Sequence, residues 1–348
     1  VSAGAAEAGA PRILTVRTRH GLWRLGVRAL VVRTIMVVVL LALGAVALTS
    51  GTYQLDLSQV IAAISGGGED NVRKLVVDWR LPRVLFAVLA GVALGVSGAI
   101  FQSLTRNPLG SPDVIGFDAG SYTGALVVML LLGSSSYLLI ATGAAAGGIL
   151  TAMLVYLLAY RGGIQGFRFI IVGIGVSAFL VGVNSYVLIS TGAQEARAAV
   201  SWGFGSFSAL GYEQLIPFAV ILAVVVPLVA SARRGFAQLE LGDDAARALG
   251  VRIESTRLSM TVLGVALTAL VTAAAGPIAF VALVAPQVAR RLVRSPGSDM
   301  SSAGLLGAVL LLGADLIGQR MNITVGLVTV VLGGGYFAWL LIREGFRR

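Results

Sequence analysis

Ten apolar runs follow one another along this chain, at about 34–50, 84–104, 114–132, 137–159, 169–190, 214–231, 258–275, 278–293, 303–319 and 324–342. In hydrocarbon every backbone polar group must be satisfied within the chain, and roughly 20 apolar residues cross the bilayer core as a helix. The runs therefore predict an all-α, polytopic membrane protein with ten transmembrane helices. Charged residues make up only 12% of the chain, against about 25% in soluble domains. That excludes a water-soluble globule and a disordered chain, and the absence of Cys excludes a disulfide-stapled fold.

Charge placement tests the count. With the N-terminus in the cytoplasm and alternating spans, 20 Lys and Arg fall inside and 6 outside. This is the asymmetry of the positive-inside rule and predicts both termini in the cytoplasm. Merging the seventh and eighth runs across Gly276-Pro277 would put three downstream basic groups on the wrong side. The layout is a basic cytoplasmic tail over 1–33, one membrane domain over 34–343 and a short cytoplasmic end at 344–348. The first run follows a long tail rich in Arg and precedes no small-residue cleavage pattern, so it is not expected to be a cleaved signal. The chain opens on Val1, and a start upstream of it is expected. The net charge of +10 is scattered between apolar runs rather than gathered on one face, so nucleic acid is not an expected partner.

Glycine is abundant, with 45 residues, and several fall at small-xxx-small spacing. Gly91, Gly95 and Gly98 in the second run and Gly143 with Gly147 in the fourth predict close helix packing within the bundle.

Much chemistry is missing. One His (His20), no Cys and a single Lys (Lys74, preceded by Arg73) leave no zinc site, no Cys or His nucleophile and no nucleotide-binding P-loop. No cofactor is expected on this chain. Asp315, toward the outer end of the ninth run, is open to two readings. It is a transport carboxylate, as in an ion-coupled carrier, or a helix-end acid paired with a nearby Arg such as Arg320. Asn184 is open between an interhelical hydrogen bond and a pathway lining. Between the sixth and seventh runs, residues 239–251 read as a short helix outside the bilayer. Asp243 suits its N-cap, Asp244 favours the dipole and Gly250 is its stop. By itself that helix is either a solvated connector or a docking surface.

The same stretch resembles the coupling-helix region of the permease subunits of type II ABC importers, the family of cobalamin and iron–siderophore permeases. Further motifs agree in order: Arg80-Leu81-Pro82-Arg83; Ser97-Gly98 with Gln102, then Asn107-Pro108-Leu109-Gly110; Ala275-Gly276-Pro277-Ile278-Ala279-Phe280; and Leu332-Gly333-Gly334. Wording around Asn107–Phe117 and Thr329–Gly334 looks most like ferric-enterobactin-type permeases. The resemblance implies a ferric-siderophore permease with no catalysis of its own, with cobalamin or haem as the alternative cargo and an ion-coupled secondary carrier as the rival class. It implies a second permease subunit (a paralogue, else a second copy), two ATPases that bind ATP and Mg, an extracytoplasmic siderophore-binding protein and surrounding lipid. By the same resemblance, Leu239, Leu241, Gly242, Asp243, Asp244, Arg247, Leu249 and Gly250 face the ATPase. Arg80 and Arg320 dock the binding protein, and Asn107, Leu109, Gly166, Phe167 and Asn184 form the gate and pathway. Two departures stand out: Gln287 replaces the family's His, and Met321–Val325 lacks its usual Pro and Glu.

Overall fold

The computed structural model describes residues 13–18, 21–51, 53–160, 166–295 and 297–345. Arg12, Arg19, His20, Arg161, Arg347 and Arg348 lie outside the described residues. Strands β1 (Ile13–Thr18) and β2 (Gly21–Gly26) pair antiparallel, with Ile13 opposite Gly26, ahead of an otherwise helical chain. Helix α1 (Val27–Thr49) then starts earlier than the apolar run does. Its first turns tolerate two arginines because both are engaged. Arg28 donates to the Leu292 carbonyl at 2.7 Å, and Arg33 forks onto Asp299 at 2.8 and 2.9 Å.

A pair of short helices, α2 (Leu57–Ile64) and α3 (Asp70–Arg73), leads through a π-helical stretch, Lys74–Arg80, into α4 (Leu81–Thr105). Next come α5 (Phe117–Leu126) with a π-helical end at Val127–Leu131, α6 (Tyr137–Ala159), α7 (Gly166–Ile189) and α8 (Ala193–Gly203). The chain continues through α9 (Tyr212–Leu239), α10 (Asp243–Ala248) and α11 (Ile253–Ala275). It ends with α12 (Val281–Val293), α13 (Met300–Met321) and α14 (Val325–Gly345).

Seven helices among the described residues are long and apolar enough to cross a membrane: α1, the continuous Asp70–Thr105 helix, α6, α7, α9, α11 and α13. The expected runs at 114–132, 278–293 and 324–342 fall on shorter helices. Two of them are entered by non-helical chain. Gly116 at φ +94° precedes α5, and Phe280 at φ +68° precedes α12. Irregular backbone at membrane depth survives only when enclosed by protein. Here the Phe280 N–H is taken up by the Asp113 carboxylate at 2.9 Å.

α4 is the spine of the bundle. A Cβ on Gly91 would strike the Gly307 carbonyl of α13, one on Gly95 the Ala303 carbonyl, and one on Gly98 the Ala282 carbonyl of α12. Gly143 and Gly147 meet Gly124 and Gly120 of α5 in the same way. The glycine spacing thus packs helices within the chain, where backbone proximity replaces the hydrophobic effect.

Asp299 caps α13, accepting from Ser302 N at 3.2 Å. Burial pushes its carboxyl pKa up, but hydrogen bonds from Ser302 and Arg33 outweigh that and hold it below the ordinary value of 3.8. A carboxylate with a depressed folded pKa stabilises the fold above its unfolded pKa, and the contribution is lost as pH falls through the folded one. Asp299→Asn should therefore lower the unfolding temperature of the detergent-extracted protein near about pH 6, with the gap to wild type closing toward about pH 3. A gap independent of pH would contradict this assignment.

Candidate coupling site and outer face

The sequence between α9 and α11 folds into less helix than expected. α9 runs on to Leu239, and α10 occupies only Asp243–Ala248. Gly242, at φ +107°, is the residue before the first helical one, and Asp243 does not cap. Its carboxylate is drawn away by two guanidinium groups, Arg257 at 2.7 Å and Arg106 at 3.2 Å. Both outbid a backbone amide for a full charge. Gly250, at φ +80°, ends the turn as its lack of a Cβ allows. Leu239 is buried and so is withdrawn from any docking surface. Leu241 and Leu249 are 68% and 58% exposed, and Arg247 reaches solvent beside Asp244 at 3.4 Å. Two bare leucines and an arginine around a short helix, outside the long apolar spans, make a surface suited to a protein partner.

The loop after α4 lies against this element. Arg106, in the left-handed region at φ +50°, donates both to the Leu239 carbonyl at 3.1 Å and to Asp243. Asn107 closes an Asx turn on the Leu109 amide at 2.9 Å, and Gln287 donates to the Pro108 carbonyl at 2.8 Å. Gly166 packs so tightly on the Thr105 carbonyl that no Cβ would fit. The structure therefore brings Asn107, Leu109 and Gly166 to one end of α4, while Phe167 points outward, 75% exposed. A cavity of about 250 Å³, lined by Ser103, Arg106, Asn107, Glu240, Arg290 and Ser298, lies between the loop and the chain just after α9. Asn184 is elsewhere. Its amide donates to the Ala119 carbonyl at 3.3 Å and accepts from Thr123 at 2.8 Å, so its polar atoms join α7 to α5.

At the opposite end, Arg80 is turned onto the carbonyls of Leu48 and Tyr53. Arg320 is exposed at the end of α13 with no ion pair among the described residues. Arg80 and Arg320 line adjoining cavities of about 570 and 710 Å³ that share Ser50, Gly51, Arg83, Ser208 and Gln319. Asp315 is not held by Arg320, as its nearness in sequence suggests. Arg83 of α4 forks onto it at 2.8 and 3.0 Å, and Gln319 adds a bond at 2.7 Å. The paired-acid reading of Asp315 holds, with a different partner.

The sequence profile of the FecCD transport family matches residues 36–343. The chain belongs to that family. It is 46% identical to the ferric enterobactin transport system permease protein of Escherichia coli, over 92% of this chain and 98% of that one. It is 32% identical to the achromobactin transport system permease protein of Dickeya dadantii, over 94% and 96% of the two chains. A solved structure of a metal-chelate type ABC transporter, in an inward-facing conformation, superposes with a TM-score of 0.78 at 25% identity, covering 90% of this chain and 99% of that one.

In this FecCD chain most motif residues are packing residues. Ser97 donates to the Gly264 carbonyl and meets Thr268 at 2.8 Å, Gly98 admits Ala282, and Gln102 donates to the Leu283 carbonyl at 2.8 Å. The Gln287 amide makes a bond that an imidazole N–H could also donate, so the replacement of His leaves a donor in place. Sequence reasoning missed Ser103, Arg106 and Glu240 as contacts between the end of α4 and the α9–α10 junction. Their only signal was a place beside the two motifs, since the bonds that join them span well over a third of the chain.

Proposed function

We propose that this FecCD chain is the membrane-spanning permease subunit of an ATP-driven importer that carries a ferric siderophore across the cytoplasmic membrane. The reading includes ten spans, the seven long helices and three shorter apolar ones, with both termini in the cytoplasm. Its partners are a second permease subunit, two ATPases supplying ATP and Mg chemistry, and an extracytoplasmic siderophore-binding protein. The observation that carries it is the Arg106–Asp243 bridge, which joins an exposed docking helix to the Asn107–Leu109 loop at 3.2 Å. A push on α10 is thereby delivered to the inner end of α4. The chain has no P-loop and must receive that push from elsewhere. The similarity to permeases named for enterobactin and achromobactin supports a ferric siderophore as cargo, and Arg80 and Arg320 would receive the binding protein.

The test is uptake of radiolabelled ferric enterobactin into vesicles holding the chain with its partner permease and ATPases. ATP inside the vesicle should drive accumulation, and a proton gradient alone should not. Arg247→Ala with Leu249→Ala should cut ATPase co-purification by about tenfold or more while membrane insertion stays normal. Undiminished co-purification would remove α10 from the interface.

A further inference from the structure

α4 and α13 form one mechanical unit. Their backbones touch in the middle, where Gly91 faces Gly307 and Ala308 and Gly95 faces Ala303, with no room for a Cβ on either glycine. Near the outer recess the pair is stapled by Arg83 of α4 on Asp315 of α13. At the other end both members of the unit converge on a single carboxylate. Ser103, in the last turn of α4, donates to Glu240 at 2.7 Å, and the Ser298 amide, just before α13, donates to the same carboxylate at 3.1 and 3.2 Å. The Ser298 hydroxyl returns to α4 at the Ala99 carbonyl, 3.3 Å away. Gly297 keeps the approach open, since a Cβ there would sit 2.7 Å from a Glu240 oxygen.

Glu240 lies on the lever's own stem, between Leu239 at the end of α9 and Gly242 before α10. We propose that Glu240 is the positioning residue by which the lever grips the α4–α13 pair, so that motion of α10 reaches the outer recess as a single rigid displacement. This rests on the importer reading. α13 has 22 residues, about 33 Å at roughly 1.5 Å per residue, enough to carry a displacement from the lever to Gln319 and Arg320 at the recess. The bonds are charge-assisted, hence directional, yet exposed to water, so the grip holds register without fusing the parts. Arg106 provides a separate contact to the loop side. Glu240 is bonded to both members of the rod, through Ser103 and Ser298.

The complete complex, reconstituted in liposomes, is compared as wild type, Glu240→Ala and Glu240→Gln. Glu240→Ala should retain its ATPases and hydrolyse ATP within about twofold of wild type, while ferric enterobactin moved per ATP falls about tenfold or more. Glu240→Gln keeps one acceptor oxygen and should recover at least about a third of the lost coupling. An unchanged ratio in Glu240→Ala, loss of ATPase from that complex, or a Gln variant no better than Ala would overturn the proposal. A second measurement stands apart from transport. The chain has no Cys, so spin labels at Leu241→Cys and Ser301→Cys, both exposed, report the lever-to-rod distance directly. The distribution should be narrow in the wild-type background and about twofold broader with Glu240→Ala. Equal widths would refute the grip, even if the chain transports nothing under ATP and the importer reading itself has failed.

Discussion

Gly98→Val is expected to abolish accumulation of the folded chain in the membrane fraction, whereas Gly313→Ala is expected to leave it intact. Both glycines sit inside long helices, so helix propensity favours each substitution by up to about 1 kcal/mol. Their surroundings differ. A Cβ at Gly98 would overlap the Ala282 carbonyl and lie 2.6 Å from its carbon and 2.9 Å from its Cα, all backbone atoms of α12 that no rotamer change can move. At Gly313 nothing lies within 4 Å. Overpacking alone costs about 1–3 kcal/mol. Separation of α4 from α12 also breaks the bond from Gln102 to the Leu283 carbonyl, and each buried polar group left unpaired adds about 1–3 kcal/mol. The total reaches the lower end of the roughly 5–15 kcal/mol that holds a domain together. Membrane-fraction yield and unfolding temperature in detergent decide it. Near-normal values for Gly98→Val would mean that α4 and α12 are not in backbone contact.

Gly98, with Gly91 and Gly95, was legible in the sequence because small-residue spacing along one helix is a local pattern with one dominant use in lipid. The apolar runs were legible for the same reason, and seven of them became long helices. The shortfall at 114–132 and 278–293 arose where Gly116 and Phe280 delay the helix start. Hydropathy sees only that such segments are apolar, not that neighbouring helices enclose their irregular backbone. The hairpin at 13–26 left a faint trace, the alternation Leu14-Thr15-Val16-Arg17, in a tail read only for its charge. Polar partners were the least legible. Asp315 suggested Arg320, five positions on, because sequence displays helix-face neighbours. Its partner Arg83 is 232 residues away. Asp243 reads as an N-cap until Arg106 and Arg257 are brought to it from beyond its own helix. The site was legible as a motif and illegible as a set of contacts. Leu239 shows this plainly: it belongs to the motif by sequence and to the core by packing.

Asp315→Ala is expected to lower stability by about 3–5 kcal/mol, while Arg83→Met combined with Asp315→Leu returns to within about 1 kcal/mol of wild type. The carboxylate is 1% exposed and accepts from Arg83 through both oxygens, with Gln319 as a third donor. Removing it strands a guanidinium beside the protein interior. Arg83 keeps 24% of its side-chain surface in contact with solvent, and this screening places the loss nearer the lower bound. Replacing both partners with apolar groups removes charge and counter-charge together, which is why the double variant recovers. The same pair separates an ATP-driven permease from an ion-coupled carrier. A carrier that binds and releases its ion at Asp315 loses all transport with the acid, however stable the double variant is. A permease powered through α10 needs Asp315 only to hold α4 against α13, so ATP-driven uptake at saturating substrate persists once the fold is restored. A stable double variant that takes up nothing would turn Asp315 from a staple into the centre of the mechanism.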